Sequence, residues 1–337
     1  MSVPADGPVT RRLLFAIARQ RELSLVAIMV VLGAVVTLSA PQFLTRDNLS
    51  QVAVLASVTA VAAIGEALVI ITRNVDLSVE ATIGLVAYIV ASTLESQVLN
   101  GPSAIAVGLV IGLVLGMVNG VVVAYLRVPA IVATLGTLSV FRGFDYFIAG
   151  SHQVPVAALP EGFTDVAHGA VLGIPIFVLL AIAIVAVAGV VLRSSRFGRQ
   201  LYAVGSNPEA AAILGIKSRR VVFVAFASCG LLAGLAGVMW VMEFGTISGT
   251  AATGSGLAIV AAAVVGGVNI FGGSGSAIGA TLGAILLGTI ENALSILKLN
   301  QFWLQAIQGG AIIAAVTLDA IVTRRLQRVL RRARGRT

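Results

Sequence analysis

The sequence predicts an all-α polytopic membrane protein with about ten membrane-spanning helices. Of its 337 residues, 58% are hydrophobic and 11% are charged, a balance that excludes an ordinary soluble domain. The apolar residues fall into runs that are long enough to cross about 30 Å of hydrocarbon. The 37 glycines suit helices in lipid, where small residues let two backbones approach closely.

Ten apolar runs are the candidate spans. They cover residues 23–40, 50–71, 77–94, 103–124, 129–149, 171–192, 220–242, 256–271, 276–296 and 303–322. The runs 129–149 and 256–271 are short or interrupted by glycine, so broken or tilted helices are expected there. Because no linker or charge block divides the chain, residues 23–323 are expected to form one transmembrane domain.

The basic residues predict the orientation, because inside loops of membrane proteins carry the excess of lysine and arginine. With the N-terminus inside, all but three of the 22 lysines and arginines fall on inside segments. The exceptions are Arg46, Arg142 and Lys298. Both termini and the loop 193–220 are therefore expected in the cytoplasm.

Both ends of the chain are polar. Residues 1–22 are expected to form a cytoplasmic N-terminal segment. A signal peptide cleaved at Ser39–Ala40 is disfavoured, because its removal would leave an odd number of spans and invert the charge balance. Residues 324–337 are expected to form a basic cytoplasmic tail that touches anionic membrane lipid and not nucleic acid.

The sequence lacks the motif of an ATP site. A phosphate-binding loop has the pattern G-x-x-x-x-G-K-[ST], and neither lysine, Lys217 or Lys298, follows a glycine. Any ATP hydrolysis must therefore take place on another chain. His152 and His168 share an outside loop without a second ligand at metal spacing, so no metal or cofactor is expected on this chain.

Ionisable residues within apolar runs are costly and are functional candidates. Asp76 and Glu80 lie at the inner start of the third run, shortly after Arg73. One interpretation is a helix start in which Asp76 or Ser78 is the cap, Glu80 faces the positive helix end and Arg73 neutralises the cluster. Glu66 lies about 10 Å deeper on the same helix face as Arg73, where a carboxyl is protonated, paired or lining a wet cavity.

A second polar stretch, residues 134–151, mixes hydroxyl, glycine, charged and aromatic residues and suits a constriction along a channel. Together with the preceding cluster it supplies eight candidate path residues. They are Glu66, Asn74, Asp76, Ser78, Glu80, Thr134, Thr137 and Arg142. Four further polar residues in or near spans could bond solute hydroxyls or bridge two helices. They are Asn119, Asn269, Glu291 and Asn292.

The segment 198–220 is polar in an otherwise apolar chain. Asn207 is a good helix N-cap, Pro208 suits the first helical position, and Glu209 complements the positive helix start. Gly215 suits the left-handed residue after the helix end. The segment therefore predicts a short helix over 208–214, too short to be stable alone, which meets a partner in water.

Three stretches, 69–79, 128–143 and 198–221, resemble the permease subunits of bacterial sugar ABC importers, which handle ribose, xylose, rhamnose and related compounds. The last looks like the family's cytoplasmic coupling helix. The positions that we assign to coupling are Gly205, Asn207, Pro208, Glu209, Ala210, Ala211, Gly215 and Ile216. The sequence departs from the family pattern at Glu66, which is typically neutral, and at Glu80, which is typically glycine.

The resemblance implies a multi-pass permease of the bacterial inner membrane with three partners. These are an ABC ATPase subunit that carries ATP and Mg, a periplasmic sugar-binding protein, and a second permease copy, as a homodimer or with a close paralogue. The solute would be a monosaccharide or a sugar-like autoinducer. The chain itself would not be an enzyme.

Three alternatives stay open at this point. A permease for branched-chain amino acids or nucleosides would share the architecture. An ion-coupled secondary transporter could use Glu66 and Glu80 as proton or sodium sites. A membrane scaffold without transport is disfavoured by the polar residues at depth.

Overall fold

The computed structural model describes residues 8–244, 246–300 and 302–317, and this part of the chain is almost entirely helical. The α-helices are α1 Pro8–Ser39, α2 Arg46–Ile71, α3 Val79–Glu95, α4 Gly101–Gly120, α5 Ala130–Ala149, α6 Glu161–His168, α7 Ile176–Ser194, α8 Arg196–Ser206, α9 Pro208–Ile213, α10 Ser218–Glu243, α11 Ser255–Val265, α12 Ala277–Ile296 and α13 Phe302–Thr317. A π-helical turn, Val121–Tyr125, continues α4, and 3-10 turns cover Pro41–Leu44 and Val156–Ala158. Strands β1 Ala170–Val171 and β2 Ile174–Pro175 form one small antiparallel hairpin.

The predicted fold class is confirmed, since each of the ten apolar runs contains one helix of the described chain. Seven of these helices are long and apolar enough to cross a membrane, and α3, α11 and α13 are shorter. The break expected in the run 256–271 is present, because α11 ends at Val265. The run 129–149 forms an unbroken helix, since its glycines stay within the helical backbone.

The core of the domain is built mainly from α2, α3, α10 and α11. Most of α2 is buried from Val52 to its end. On α4, glycines recur every fourth residue and face glycines of α10, so that a Cβ on Gly112 would lie within 2.7 Å of the backbone of Gly234. The two backbones therefore touch directly, as the glycine content predicts for helices in lipid.

Two helices begin inside the domain and not at its ends. The backbone N–H of Asp76 donates to Glu66 Oε1 at 3.0 Å, and Glu66 lies five residues before the end of α2. The α2–α3 loop, residues 72–78, therefore turns back beside α2 by about 7.5 Å. Gly254 and Gly256, at the start of α11, donate their N–H groups to Glu80 in the first turn of α3. The N-termini of α3 and α11 thus face each other within the domain, away from its two ends.

The loops gather at two ends of the domain. At one end Gly273 donates to the carbonyl oxygen of Ile71 at 2.9 Å, and Arg73 contacts the end of α8. At the other end the backbone of Val154 pairs with Ile247. The tail 324–337 and the segment 1–7 lie outside the described residues.

Candidate functional site

The short helix α9 forms as the capping residues predict. Asn207 Oδ1 accepts the N–H groups of Glu209 at 3.1 Å and Ala210 at 3.0 Å. Gly215 has a φ of +77°, the left-handed geometry that ends a helix. The helix covers Pro208–Ile213, one residue fewer than expected.

The segment around α9 has a buried side and an exposed side. Ala211 is the one buried residue of α9 and packs against the core, and its assignment to coupling stays a prediction. Ile213 and Leu214 are instead 87% and 78% exposed. Sequence reasoning concentrated on the small residues and missed this pair, although two large apolar side chains in a polar inside segment were a visible signal.

Gly205 also faces inward. A Cβ at this position would collide with the carbonyl oxygen of Ile71, so only glycine lets the end of α8 lie against the end of α2. Ile216 is partly buried and packs on the core. Of the residues assigned to coupling, Asn207, Pro208, Glu209, Ala210 and Gly215 are exposed.

Arg73 joins the α8–α9 segment to the α2–α3 loop. Its Nε donates to the carbonyl oxygen of Gly205, and its Nη2 donates to that of Ser206 at 2.6 Å. The backbone of Arg73 has a φ of +67°, a sparsely populated geometry that persists where the surroundings hold it. The expectation that Arg73 neutralises Asp76 and Glu80 is wrong, because its guanidinium is directed to the end of α8.

The α2–α3 loop is held by a buried polar network. Asp76 Oδ1 accepts from the N–H of Ser78 at 2.9 Å and from its hydroxyl at 2.6 Å. The amide of Asn119 donates to Asp76 Oδ2 at 3.2 Å and to the Ser78 hydroxyl at 2.7 Å. Thr137 on α5 donates to Asn119 Oδ1 at 2.7 Å. The network therefore connects the loop to α4 and α5.

Ser78 lies directly before α3 but makes no side-chain hydrogen bond that caps the helix, and Asp76 accepts from Ser78 within the loop. Thr134 is buried on the same side and donates to the carbonyl oxygen of Val75 at 3.3 Å. Asn74 closes the turn by donating to Thr72. Glu66 has no exposed surface in this conformation, so a role in lining a path requires a change of conformation.

Three charged residues meet where α3, α5 and α11 come together. Glu80 Oε2 accepts from the N–H groups of Gly254 at 3.0 Å and Gly256 at 2.9 Å. Arg142 Nη2 lies 3.8 Å from Glu80 Oε1, and Arg142 Nη1 lies 3.3 Å from Asp145 Oδ2. A carboxylate between helix N-termini is stabilised by their positive dipole ends.

The Arg142 side chain also holds the loop before α11. Its Nη1 donates to the carbonyl oxygen of Ala251 at 2.8 Å. Among the described residues, Arg142 Nη2 and Asp145 Oδ1 have no hydrogen-bond partner although both are buried. The cluster therefore retains unused bonding capacity at depth.

The remaining polar candidates fall into two groups. Asn292 pairs with Asn48 through two amide hydrogen bonds of 2.8 and 3.1 Å and so bridges α12 and α2. Asn269 accepts the N–H of Phe271 within its own turn. Asn119 belongs to the buried network. Glu291 lines a cavity together with Trp240 and Gln308.

The two histidines lie at the outer end. His152 Nε2 is 2.8 Å from Glu95 Oε2. His168 lines an open cleft of about 910 Å³, together with Arg46, Asp47 and Glu243. Within the described residues, His, Cys, Asp and Glu side chains form no group of three that could hold a metal ion.

Tyr202 ties α8 to the loop before α12. Its hydroxyl donates to the carbonyl oxygen of Gly275 at 2.8 Å. Burial raises the pKa of the Tyr202 phenol, so the group stays protonated and keeps its donor. The α8–α9 segment is therefore attached to two inner loops, through Tyr202 and through Arg73.

Seven of the described helices are long and apolar enough to cross a membrane, and polar residues buried among such helices are typical of multi-pass membrane transport proteins. Residues 48–316 match the family of permease components of the branched-chain amino acid transport system, and the chain belongs to this permease family. The predicted resemblance to importer permeases is therefore confirmed. No solved structure shows a significant match.

Curated relatives resemble the chain over most of its length. The autoinducer 2 import system permease protein LsrC of Salmonella typhi is 35% identical over 310 residues, which is 92% of this chain and 87% of the relative. The LsrC protein of Escherichia coli (strain K12 / DH10B) is 34% identical over 316 residues, 94% of this chain and 92% of the relative. The LsrC protein of Salmonella paratyphi B is 34% identical over 86% of this chain and 83% of the relative.

Proposed function

We propose that this chain is the permease subunit of an ATP-driven, binding-protein-dependent importer, and that its solute is a small sugar-like compound such as autoinducer 2. The observation that carries the substrate class is the similarity to autoinducer 2 permeases along more than nine-tenths of the chain. The transport machinery itself is supported by the geometry of α9 and the α2–α3 loop.

The proposed partner at the inner end is an ABC ATPase subunit that binds ATP and Mg. The exposed pair Ile213 and Leu214 would fill an apolar groove on its surface, since exposed apolar side chains on an otherwise polar segment favour a docking site. Closure of two ATPase subunits would move α9 as a rigid body. The hydrogen bonds of Arg73 would then pull the α2–α3 loop with it.

The proposed orientation has both termini in the cytoplasm of a bacterial cell and the chain in the inner membrane. It is supported by the distribution of basic residues. The open cleft beside His168 then faces the periplasm, where a solute-binding protein would dock. The mixed charges of Arg46, Asp47 and Glu243 in this cleft suit a polar and reversible contact.

The proposed path lies between two permease copies, as a homodimer or with a close paralogue. It is supported by α5, which buries Thr134 and Arg142 and leaves Phe144 and Phe147 exposed. A shift of α5 against a second copy would move Arg142 away from Glu80 and open the charged cluster to the solute. Weak hydroxyl contacts there would let the solute leave as easily as it enters.

A second candidate is import of a branched-chain amino acid, which the description of the matching family model favours. An ion-coupled mechanism has less support, because Glu66 is fully buried and its Oε1 is engaged by a backbone N–H. Uptake measurements with vesicles distinguish autoinducer 2 import, amino acid import and ion-coupled transport. The proposal predicts uptake of autoinducer 2 only with the partner ATPase and ATP. Uptake of leucine alone, or uptake by the chain alone under a pH gradient, would overturn it.

A further inference from the structure

A partly open cavity of about 440 Å³ lies between α2, α10, α11, α12 and α13 of the single chain. It is distinct from the proposed path between two copies, and from the buried network of the α2–α3 loop. Its volume falls in the range of small-molecule sites. Such sites combine apolar walls with a few convergent polar groups, and this cavity has both.

The polar side of the cavity is formed by Gln308, Thr59 and Glu291. Gln308 is only 4% exposed, and no described residue hydrogen-bonds to its side chain. Gln308 lines the cavity, so its amide can bond to a molecule that enters there. An amide both donates and accepts, and therefore matches a hydroxyl group.

An aromatic pair forms another part of the cavity lining. Trp240 and Phe244 stack with ring centroids 4.2 Å apart, and both line the cavity. A flat apolar wall together with an amide, a hydroxyl and a carboxylate suits a molecule with one C–H face and several hydroxyls. The carboxylate of Glu291 repels anions, and the polar lining is poorly matched to a lipid chain.

The cavity adjoins the charged cluster of Glu80, Arg142 and Asp145 through one shared residue. Gly254 lines the cavity, and its N–H donates to Glu80 Oε2. A molecule held in the cavity would therefore lie beside the N-terminus of α11. From there, movement of the loop before α11 would connect it to Glu80 and Arg142.

We infer that this cavity is a solute-binding pocket within each permease chain, and that it takes an uncharged, polyhydroxylated small molecule. The inference rests on the proposed function, which supplies the solute. The pocket would hold the solute between its release from the binding protein and its passage along the path.

Tryptophan fluorescence tests the pocket, because the chain has two tryptophans and only Trp240 lines the cavity. The full chain carrying Trp303→Phe, in lipid nanodiscs, is titrated with autoinducer 2 and with D-ribose. Saturable quenching by at least one probe is expected, with a Kd that Gln308→Leu raises tenfold or more. Gln51→Leu, a matched change at an exposed position, should leave the Kd unchanged.

A second variant, Ala258→Phe, fills the cavity and should abolish the quenching while the thermal unfolding temperature stays within a few degrees. If neither Gln308→Leu nor Ala258→Phe weakened the quenching, the proposed pocket would be refuted. It would also be refuted if the fluorescence responded only to a cationic amine or to lipid. ATP-driven uptake of the same probes is measured in parallel. Uptake without any pocket response would refute the pocket alone, whereas absence of uptake would refute the proposed function.

Discussion

Arg73 Nη2 donates a hydrogen bond of 2.6 Å to the carbonyl oxygen of Ser206, 133 residues further along the chain. The bond joins the α2–α3 loop to the residue directly before the cap of α9. A hydrogen bond from a charged group contributes about 1.5–3 kcal/mol, enough to make the two segments move together. The same loop is hydrogen-bonded to Glu66 and to Asn119, and Asn119 is hydrogen-bonded in turn to α5. A contiguous set of contacts therefore connects the docking helix to the proposed path.

The exposed pair on α9 should decide whether the ATPase docks. Leu214→Asp and Ile213→Asp are expected to abolish coelution of the ATPase and reduce uptake at least tenfold, because a charge would be desolvated in an apolar groove. Both side chains are exposed, so membrane insertion should be normal. Leu172→Asp is the matched control at a 99% exposed residue of the outer hairpin. Normal coelution with both α9 variants would remove α9 as the docking helix.

Glu66 should matter as a hydrogen-bond acceptor and not as a charge. Glu66→Gln is expected to keep most of the uptake, since an amide oxygen still accepts the N–H of Asp76. Glu66→Leu would leave that buried N–H without a partner, at a cost of about 1–3 kcal/mol. Thermal unfolding and ATP-driven uptake are measured for both variants. If glutamine were as damaging as leucine and uptake followed an imposed pH gradient, a coupling proton would be the better account.

Glu80 should hold the N-terminus of α11 in place. Glu80→Ala removes the acceptor of two backbone N–H groups and is expected to lower uptake at least tenfold while the ATPase still coelutes. Glu80→Gln retains an acceptor oxygen and should keep a larger share of the activity. Glu95→Ala serves as the control, because its partner is the exposed His152. Equal uptake by Glu80→Ala and the control would show that the contact is dispensable.

Orientation is tested by labelling single cysteines in a Cys229→Ser background. Ser151 and Glu209 are both exposed and lie at opposite ends of the domain. An impermeant maleimide is expected to label Ser151→Cys in intact cells, and Glu209→Cys only after permeabilisation. Labelling of Glu209→Cys in intact cells would place α9 outside and rule out its contact with a cytoplasmic ATPase.

The sequence predicts the helices well because hydrophobic run length and capping residues act locally. The cap at Asn207 and the left-handed Gly215 were both predictable from residues within one turn. The partners of Arg73 and Glu80 were not, because they lie 132 to 176 residues away. Proximity in sequence suggested that Arg73 pairs with Asp76, whereas the turn after α2 directs its side chain to α8.

The inward position of Ala211 was also hidden from sequence reasoning. A helix of six residues has too few positions to show periodicity, so its buried face was ambiguous. The fold resolves it, because α8 and α10 fix both ends of the segment. Likewise, the sequence of the loop before α11 predicts only an ordinary connection. Its contacts with Arg142 and Glu80 in the structure show that α11 begins within the domain and not at its end.

The central claim is that Arg73 transmits the movement of α9 to the transport domain, and one measurement tests it directly. ATP hydrolysis and solute uptake are measured in the same proteoliposomes for Arg73→Gln, with Arg127→Gln as the control at another exposed loop arginine of left-handed backbone geometry. The account predicts that Arg73→Gln assembles with the ATPase and hydrolyses ATP, but that uptake per ATP falls at least tenfold, while the control matches the wild type. An unchanged ratio of uptake to hydrolysis in Arg73→Gln would contradict it.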